Sequence, residues 1–134
     1  MKNSERKQQL HELAKNYVIN GLGAGNFDTI PYHDDIILRA PIHPMGSQQP
    51  MNGRDFIKEN WWAPLPDLVA GTDLLETYTN ENLSKVTAEF LCHIKDPACT
   101  LRIVDRFSVD KDGKITDQKN FFDPRDITSP GWRS

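Results

Sequence analysis

The sequence predicts an α+β fold, with helices packed on one side of a curved, mixed but mainly antiparallel sheet. Three observations predict it. Segments with helical periodicity gather in the first half of the 134-residue chain. Four β-rich segments then follow one another, separated by hairpin-type turns, as consecutive antiparallel strands do. Finally, Leu101–Val109 alternates like a half-buried strand: Leu101, Ile103, Phe107 and Val109 share one face, and Asp105 stands in the middle of that face. The length suits a single domain over 1–134, and the pattern predicts three N-terminal helices. A long bent sheet wrapped around helices leaves a cone with an apolar floor and an open mouth, a natural small-molecule site.

Ser4–Asn20 reads as the first helix. Ser4 is a suitable N-cap, and Leu10, Leu13, Ala14, Tyr17 and Val18 make one apolar stripe. Gly21, Gly23 and Gly25 end it. Asn26–Ile30 reads as a short helical turn stopped by Pro31, and Ile36–Ala40 as a strand closed by Pro41. Ile42–Asn52, rich in Pro, Gly, Ser and Gln, reads as a loop. Gly53–Trp62 is the third helix, ended by Pro64 and Pro66. Strands are expected at Leu68–Tyr78, Leu83–Ile94, Leu101–Val109 and Ile115–Phe122. Their turns fall at Thr79–Asn82 and, with a stronger signature, at Asp110–Gly113. The tail Asp123–Ser134, with two prolines, is expected to be irregular.

Composition excludes several classes. The net charge of −3 has mixed signs throughout and no basic run, which argues against a nucleic-acid partner. No apolar run approaches the roughly 20 residues that span a bilayer, so no membrane partner is expected. The polar N-terminus lacks the apolar core of a signal peptide, and a cytoplasmic location is the expectation. Cys92 and Cys99 are the only cysteines and read as reduced thiols. His33, His43 and His93 share no ligand spacing, so neither a metal nor any other cofactor is expected.

Asp105 is the leading candidate for chemistry. A carboxyl group among hydrocarbon must find a partner, take up a proton or line a pocket. It reads either as a general acid or base, or as a structural acid paired with an inward arginine or a tryptophan N–H. His93 lies on the preceding strand. It joins Asp105 in a dyad if its own face is the concave one, and is otherwise a surface histidine. Arg39, inside an apolar run, holds a ligand carboxylate, pairs with an acid such as Asp105, or lies outward with its stem along the sheet. His43, between Pro41 and Pro44, is a candidate in the mouth-side loop. Trp61 and Trp62 are wall candidates, one facing the cavity and the other the core or a dimer surface. Tyr17, Tyr32, Phe56, Phe90, Phe107 and Phe121 are further wall candidates, each also explicable as core.

Several segments, in this order and spacing, resemble the NTF2-like superfamily: Ala24–Asp28, Tyr32–Asp35 leading into Ile36–Pro41, Gly53–Ile57, Val104–Phe107, Asp112–Ile115 and Phe121–Asp123. The resemblance covers Leu10 to Asp123 and points to the SnoaL-like and ketosteroid isomerase-like branch. It implies a cystatin-like cone and cofactor-independent chemistry on a small apolar molecule. It also implies that Asp105 matches the acid that ketosteroid isomerases carry before the hairpin turn, with Tyr17 near the place of their partner tyrosine. The position of their general base, just before a proline, holds Ala40, which accepts no proton. Limonene epoxide hydrolases need an arginine two residues before the mid-sheet acid; here that residue is Ile103. Their second acid, at the end of the last strand, is matched by Asp123.

Two readings follow. One is an acid/base enzyme of isomerase, cyclase or hydrolase type, with Asp105 moving protons and His93 or Tyr17 assisting. The other is a non-catalytic homodimeric module that binds a hydrophobic metabolite. A homodimer is expected in either case, through the outer sheet face where Val104 lies between Arg102 and Arg106.

Overall fold

A computed structural model of the chain describes residues 2–41 and 49–128. Helix α1 spans Asn3–Asn16 and runs on as a wider π-helical turn over Tyr17–Leu22. A single 3₁₀ turn, Phe27–Thr29, leads into strand β1, Tyr32–Arg39. A two-residue strand β2, Met51–Asn52, precedes helix α2, Arg54–Ile57, which also widens into a π turn over Lys58–Trp62. Helix α3, Leu65–Leu68, delivers the chain into the long strands β3 (Val69–Thr79), β4 (Lys85–Lys95), β5 (Ala98–Val109) and β6 (Ile115–Phe121). Helix α4, Arg125–Thr128, follows.

The six strands form one sheet in the order β2-β1-β6-β5-β4-β3, with β1 parallel to β6 and every other pair antiparallel. The α+β class and the mixed sheet agree with the sequence reading. The helix count differs. Only α1, with its π turn, and a 3₁₀ turn precede β1. The third expected helix, Gly53–Trp62, forms as α2 and its π turn, and a further short helix, α3, follows past Pro64 in the stretch read as a helix stop. Strand β1 starts four residues earlier than the apolar run suggests, because Tyr32 pairs with Ile115 across an irregular stretch of the parallel ladder. Met51–Asn52, inside the expected loop, pairs with Ile37 and Leu38. The tail is not wholly irregular, since α4 forms one turn.

The curvature has a local cause. Register shifts interrupt β3–β4 at Val69/Gly71 and Leu74/Glu76, and β5–β6 at Ser108/Val109. Each extra residue bends its strand and increases its twist. The turns follow their side-chain chemistry. Asp110 Oδ1 accepts from the Asp112 and Lys114 amides (2.9 Å each), with Gly113 at positive φ. Asn80 Oδ1 accepts from the Ser84 and Lys85 amides.

Helix α1 lies across the concave side of the sheet, burying Leu10, Leu13 and Ala14. Arg6 fixes its start, donating from Nε to Leu83 O (3.0 Å) and from a terminal nitrogen to Val109 O (2.8 Å). Thr72 of β3 donates to Val18 O (2.8 Å) at its other end. Along β4 the inward set is Val86, Ala88, Phe90, Cys92 and Ile94, all buried, while Thr87, Glu89, Leu91 and His93 look outward. The concave face is therefore the Cys92 face, and burial of these alternate side chains supplies the main driving force for the fold.

Candidate active site

The alternation that makes β5 a half-buried strand carries Asp105 into the interior, where it is 1% exposed. Cross-strand pairing sets Ala88 of β4 on one side of it and Asn120 of β6 on the other. Asn120 Nδ2 donates to Asp105 Oδ1. Two inward positions of β6 are thus polar, Gln118 and Asn120, where hydrocarbon would be expected. Gln118 lies opposite Phe107 and is fully buried. Its Oε1 accepts from the Tyr32 hydroxyl, and its Nε2 donates to the Tyr17 hydroxyl oxygen (3.0 Å). Tyr17 in turn packs edge-on against Phe107 (4.9 Å between centroids) and Trp62 (6.2 Å).

Burial pushes the Asp105 carboxyl up to about 7, against hydrogen bonding from Asn120, Gln118 and Tyr17 that favours the charged form. Both forms are therefore populated at neutrality. The same burial, with the Asp105 charge nearby, pushes the Tyr17 and Tyr32 hydroxyls well above their ordinary range and the Cys92 thiol up to about 12. These three groups stay protonated.

Asp105, Tyr17 and Asn120 form the polar floor of a cavity of about 500 Å³. Leu22, Trp61, Leu65 and Leu68 wall it on the helix side; Cys92, Ile94, Leu101 and Ile103 wall it on the sheet side. Phe122 and Ile127 close the tail side, and Asn60 lies toward the rim. Among these residues Asp105 is the only acid, and there is no basic side chain. The size and the apolar walls with a few convergent polar groups are those of a small-molecule site. An acid that titrates near neutrality within such walls can exchange a proton with a ligand.

The other sequence candidates are scattered. Trp62, Tyr32, Phe90 and Phe107 are buried in the core behind the cavity wall. Phe56 is 37% exposed and lies away from the cavity. Phe121 points outward, with Lys119 and Arg106 against its ring. Arg39 pairs with Asp117 at 2.9 Å on the sheet, part exposed, and does not reach Asp105. His93 does not form a dyad with Asp105: it stands on the outer face, its Nε2 2.8 Å from Asp73 Oδ2 and its Nδ1 2.9 Å from Thr100 Oγ1. His43 lies outside the described residues. Asp123, the match to a second hydrolase acid, is clamped by Arg125 at 2.6 Å and held down at about 2. Ala40 is buried at the end of β1, and Ile103 lines the cavity. Among the described residues no three His, Cys, Asp or Glu side chains gather as a metal set, and no helix is long and apolar enough to cross a membrane.

The partner of Asp105 is neither an arginine nor an indole but the Asn120 amide, which sequence reading missed. The signal was present in Gln118 and Asn120, two polar residues spaced for one face of a strand.

No family model and no curated protein matches the sequence. Solved structures do match the fold. An NTF2-like protein from Anabaena variabilis is 17% identical over 92% of this chain and 93% of its own, with a TM-score of 0.73. The chain has the NTF2-like fold. An LEH-like epoxide hydrolase from Mycobacterium tuberculosis is 17% identical over 94% of this chain and 91% of its own, at a TM-score of 0.72. SalBIII, an epoxide hydrolase/cyclase-like enzyme in pyran ring formation, is 16% identical over 92% and 94%, at 0.69. At these identities the likeness is one of architecture, and function must be argued from the site.

Proposed function

We propose that this NTF2-like chain is a cofactor-independent enzyme of isomerase, cyclase or hydrolase type that acts on a small apolar molecule by acid/base chemistry, with Asp105 taking a proton from the ligand and returning it. One observation carries the reading: among the described residues the only acid facing a cavity of about 500 Å³ is 1% exposed, and burial pushes it up to about 7. A group whose pKa sits near the working pH transfers protons most effectively in both directions. Tyr17, whose hydroxyl shares the cavity floor, assists with its one proton, given to the Asp105 carboxylate in the free protein and to a ligand oxygen once a ligand is bound. NTF2-like neighbours that act on small molecules, among them the hydrolase and the cyclase-like enzyme, support the general kind of function.

The missing base at Ala40 and the missing arginine at Ile103 set this site apart from steroid isomerisation and from epoxide hydrolysis by an arginine-bridged acid pair. Asp105 must act as the single proton carrier. The reading includes a homodimer assembled through the outer faces of β4, β5 and β6. Leu91 and Val104 lie half-buried there, and Phe121 is 41% exposed.

The test is a panel of uncharged apolar ligands of cavity size, screened with wild type and with Asp105→Asn. Turnover by wild type should fall by about 10²–10⁴-fold in the variant, and the wild-type rate should turn over near pH 7. Binding without turnover, at equal affinity in both proteins, would establish the alternative: a binding module.

A further inference from the structure

The hydrogen bonds behind the cavity floor have a direction. Tyr32 donates to Gln118 Oε1, and Gln118 Nε2 donates to the Tyr17 oxygen. With its oxygen receiving that bond, the Tyr17 hydroxyl has its own proton to give, and Asp105 shares the cavity floor with it; hydrogen bonding from both Gln118 and Tyr17 holds the carboxyl down. Asn120 Nδ2 donates to the same carboxyl from the other side. At the far end the indole Nε1–H of Trp62, which can only donate, is buried beside the Tyr32 hydroxyl, though not aligned for a hydrogen bond. A donor-only group thus stands at one end of the row and an acid at the other. The only member able to reverse the row is the Gln118 amide, by exchanging its oxygen and nitrogen. Reversed, it would set its Nε2 against Tyr32, draw the Tyr17 proton onto Oε1, and leave Asp105 with Asn120 alone.

We propose that Gln118 is a positioning residue that polarises this buried row toward Asp105, so that the free protein holds Asp105 as a proton acceptor: a base at the start of turnover and an acid only after it has taken a proton. Tyr32, which touches neither the cavity nor Asp105, takes part by occupying Gln118 Oε1. The catalytic meaning rests on the acid/base reading above; the polarisation itself does not.

Among the described residues the groups that face Asp105 are few. Tyr17 reaches it from the end of α1, Cys92 from β4, and Asn120 and Gln118 from β6, with Tyr32 of β1 behind them. None of these is charged at neutrality, so the carboxyl responds to hydrogen bonding and desolvation without a counter-ion to obscure the effect.

The experiment measures the Asp105 pKa in the ligand-free protein by carbon-detected NMR of the side-chain carboxyl, in wild type, Gln118→Met and Tyr32→Phe. Both replacements keep the shape of the side chain, and an amide fingerprint spectrum reports whether each is folded. The expected result is an upward shift of Asp105 in both variants, by about 0.5–1 unit, the equivalent of one hydrogen bond. Phe107→Leu, which alters packing against Tyr17 but no hydrogen bond, should leave the value in place. An unmoved Asp105 in folded Gln118→Met or folded Tyr32→Phe overturns the proposal, as does a downward shift. Should one variant not fold, the other decides alone. The measurement needs no substrate, so absence of turnover would remove the enzymatic reading while leaving the polarisation standing or fallen on its own result.

Discussion

Asp105 is costly to the fold wherever it is charged. Its carboxyl titrates near 7 in the folded chain, against the ordinary value near 4 in an unfolded one. Between those two values the folded state holds a proton that the unfolded state has released. Stability therefore falls as pH rises from about 4 to about 7 and is level above that, by an amount on the order of 4 kcal/mol across the window. Asp105→Asn removes the slope. In chemical denaturation the variant should be more stable than wild type at pH 8, with the difference shrinking toward pH 4. Equal pH dependence of the two proteins would show that the carboxyl is not desolvated. A group that costs stability where it also faces a cavity has the energetic profile of a functional residue.

At the scale of elements, legibility depended on how local the signal was. The turn at Asp110–Gly113 was plain, because an aspartate two and four residues before amides it can bond, and a glycine at positive φ, are sequence-local facts. The pairing it leads to was not. Carried back from Val109 opposite Ile115, regular pairing would set Lys119 across from Asp105. The extra residue between Ile115 and Asp117 shifts the ladder by one and sets Asn120 there instead. The site's main hydrogen bond depends on that bulge, and nothing in the period-2 pattern announces it. His93 failed for a related reason: both faces of β4 carry apolar residues, and only packing against α1 decides which one is concave. The close approach of α1 to β3 offers a test. A Cβ on Gly23 would stand 2.6 Å from both Ile19 O and Thr72 Oγ1, and 2.9 Å from Val18 O. Two of the three are backbone atoms with little room to yield, so Gly23→Ala should lower stability by about 1–3 kcal/mol in a denaturant titration. A neutral result would mean that the end of the π turn shifts freely.

For the molecule as a whole, the fold class was readable from element order alone, and the cavity from the curvature that order implies. The occupants of the walls were less so: aromatic bulk marks core and cavity alike, and of the eight aromatic wall candidates within the described residues only Tyr17 and Trp61 face the chamber. The outer face poses the complementary question. Val104 and Phe121 are cross-strand neighbours, with the Arg102–Glu89 pair (2.9 Å) on one side and the cations that flank the Phe121 ring on the other; Leu91 lies across that pair, opposite Arg102. An apolar centre with a charged rim is the composition of a two-fold protein contact. Light scattering after size exclusion at micromolar concentration should give twice the chain mass of 15.3 kDa, and Val104→Glu should reduce it to the monomer. A wild-type monomer would discard the dimer.

The isolated carboxyl group on the chamber floor also makes occupancy and proton balance reciprocal. A guest that brings only hydrocarbon deepens the desolvation of Asp105 and drives it to its neutral form, so its entry draws a hydrogen ion from the buffer. A guest that offers an O–H or N–H favours the anion, and a hydrogen ion is released instead. Binding followed calorimetrically in buffers of different ionisation enthalpy would sort inert occupants from molecules equipped to react, before any product is known.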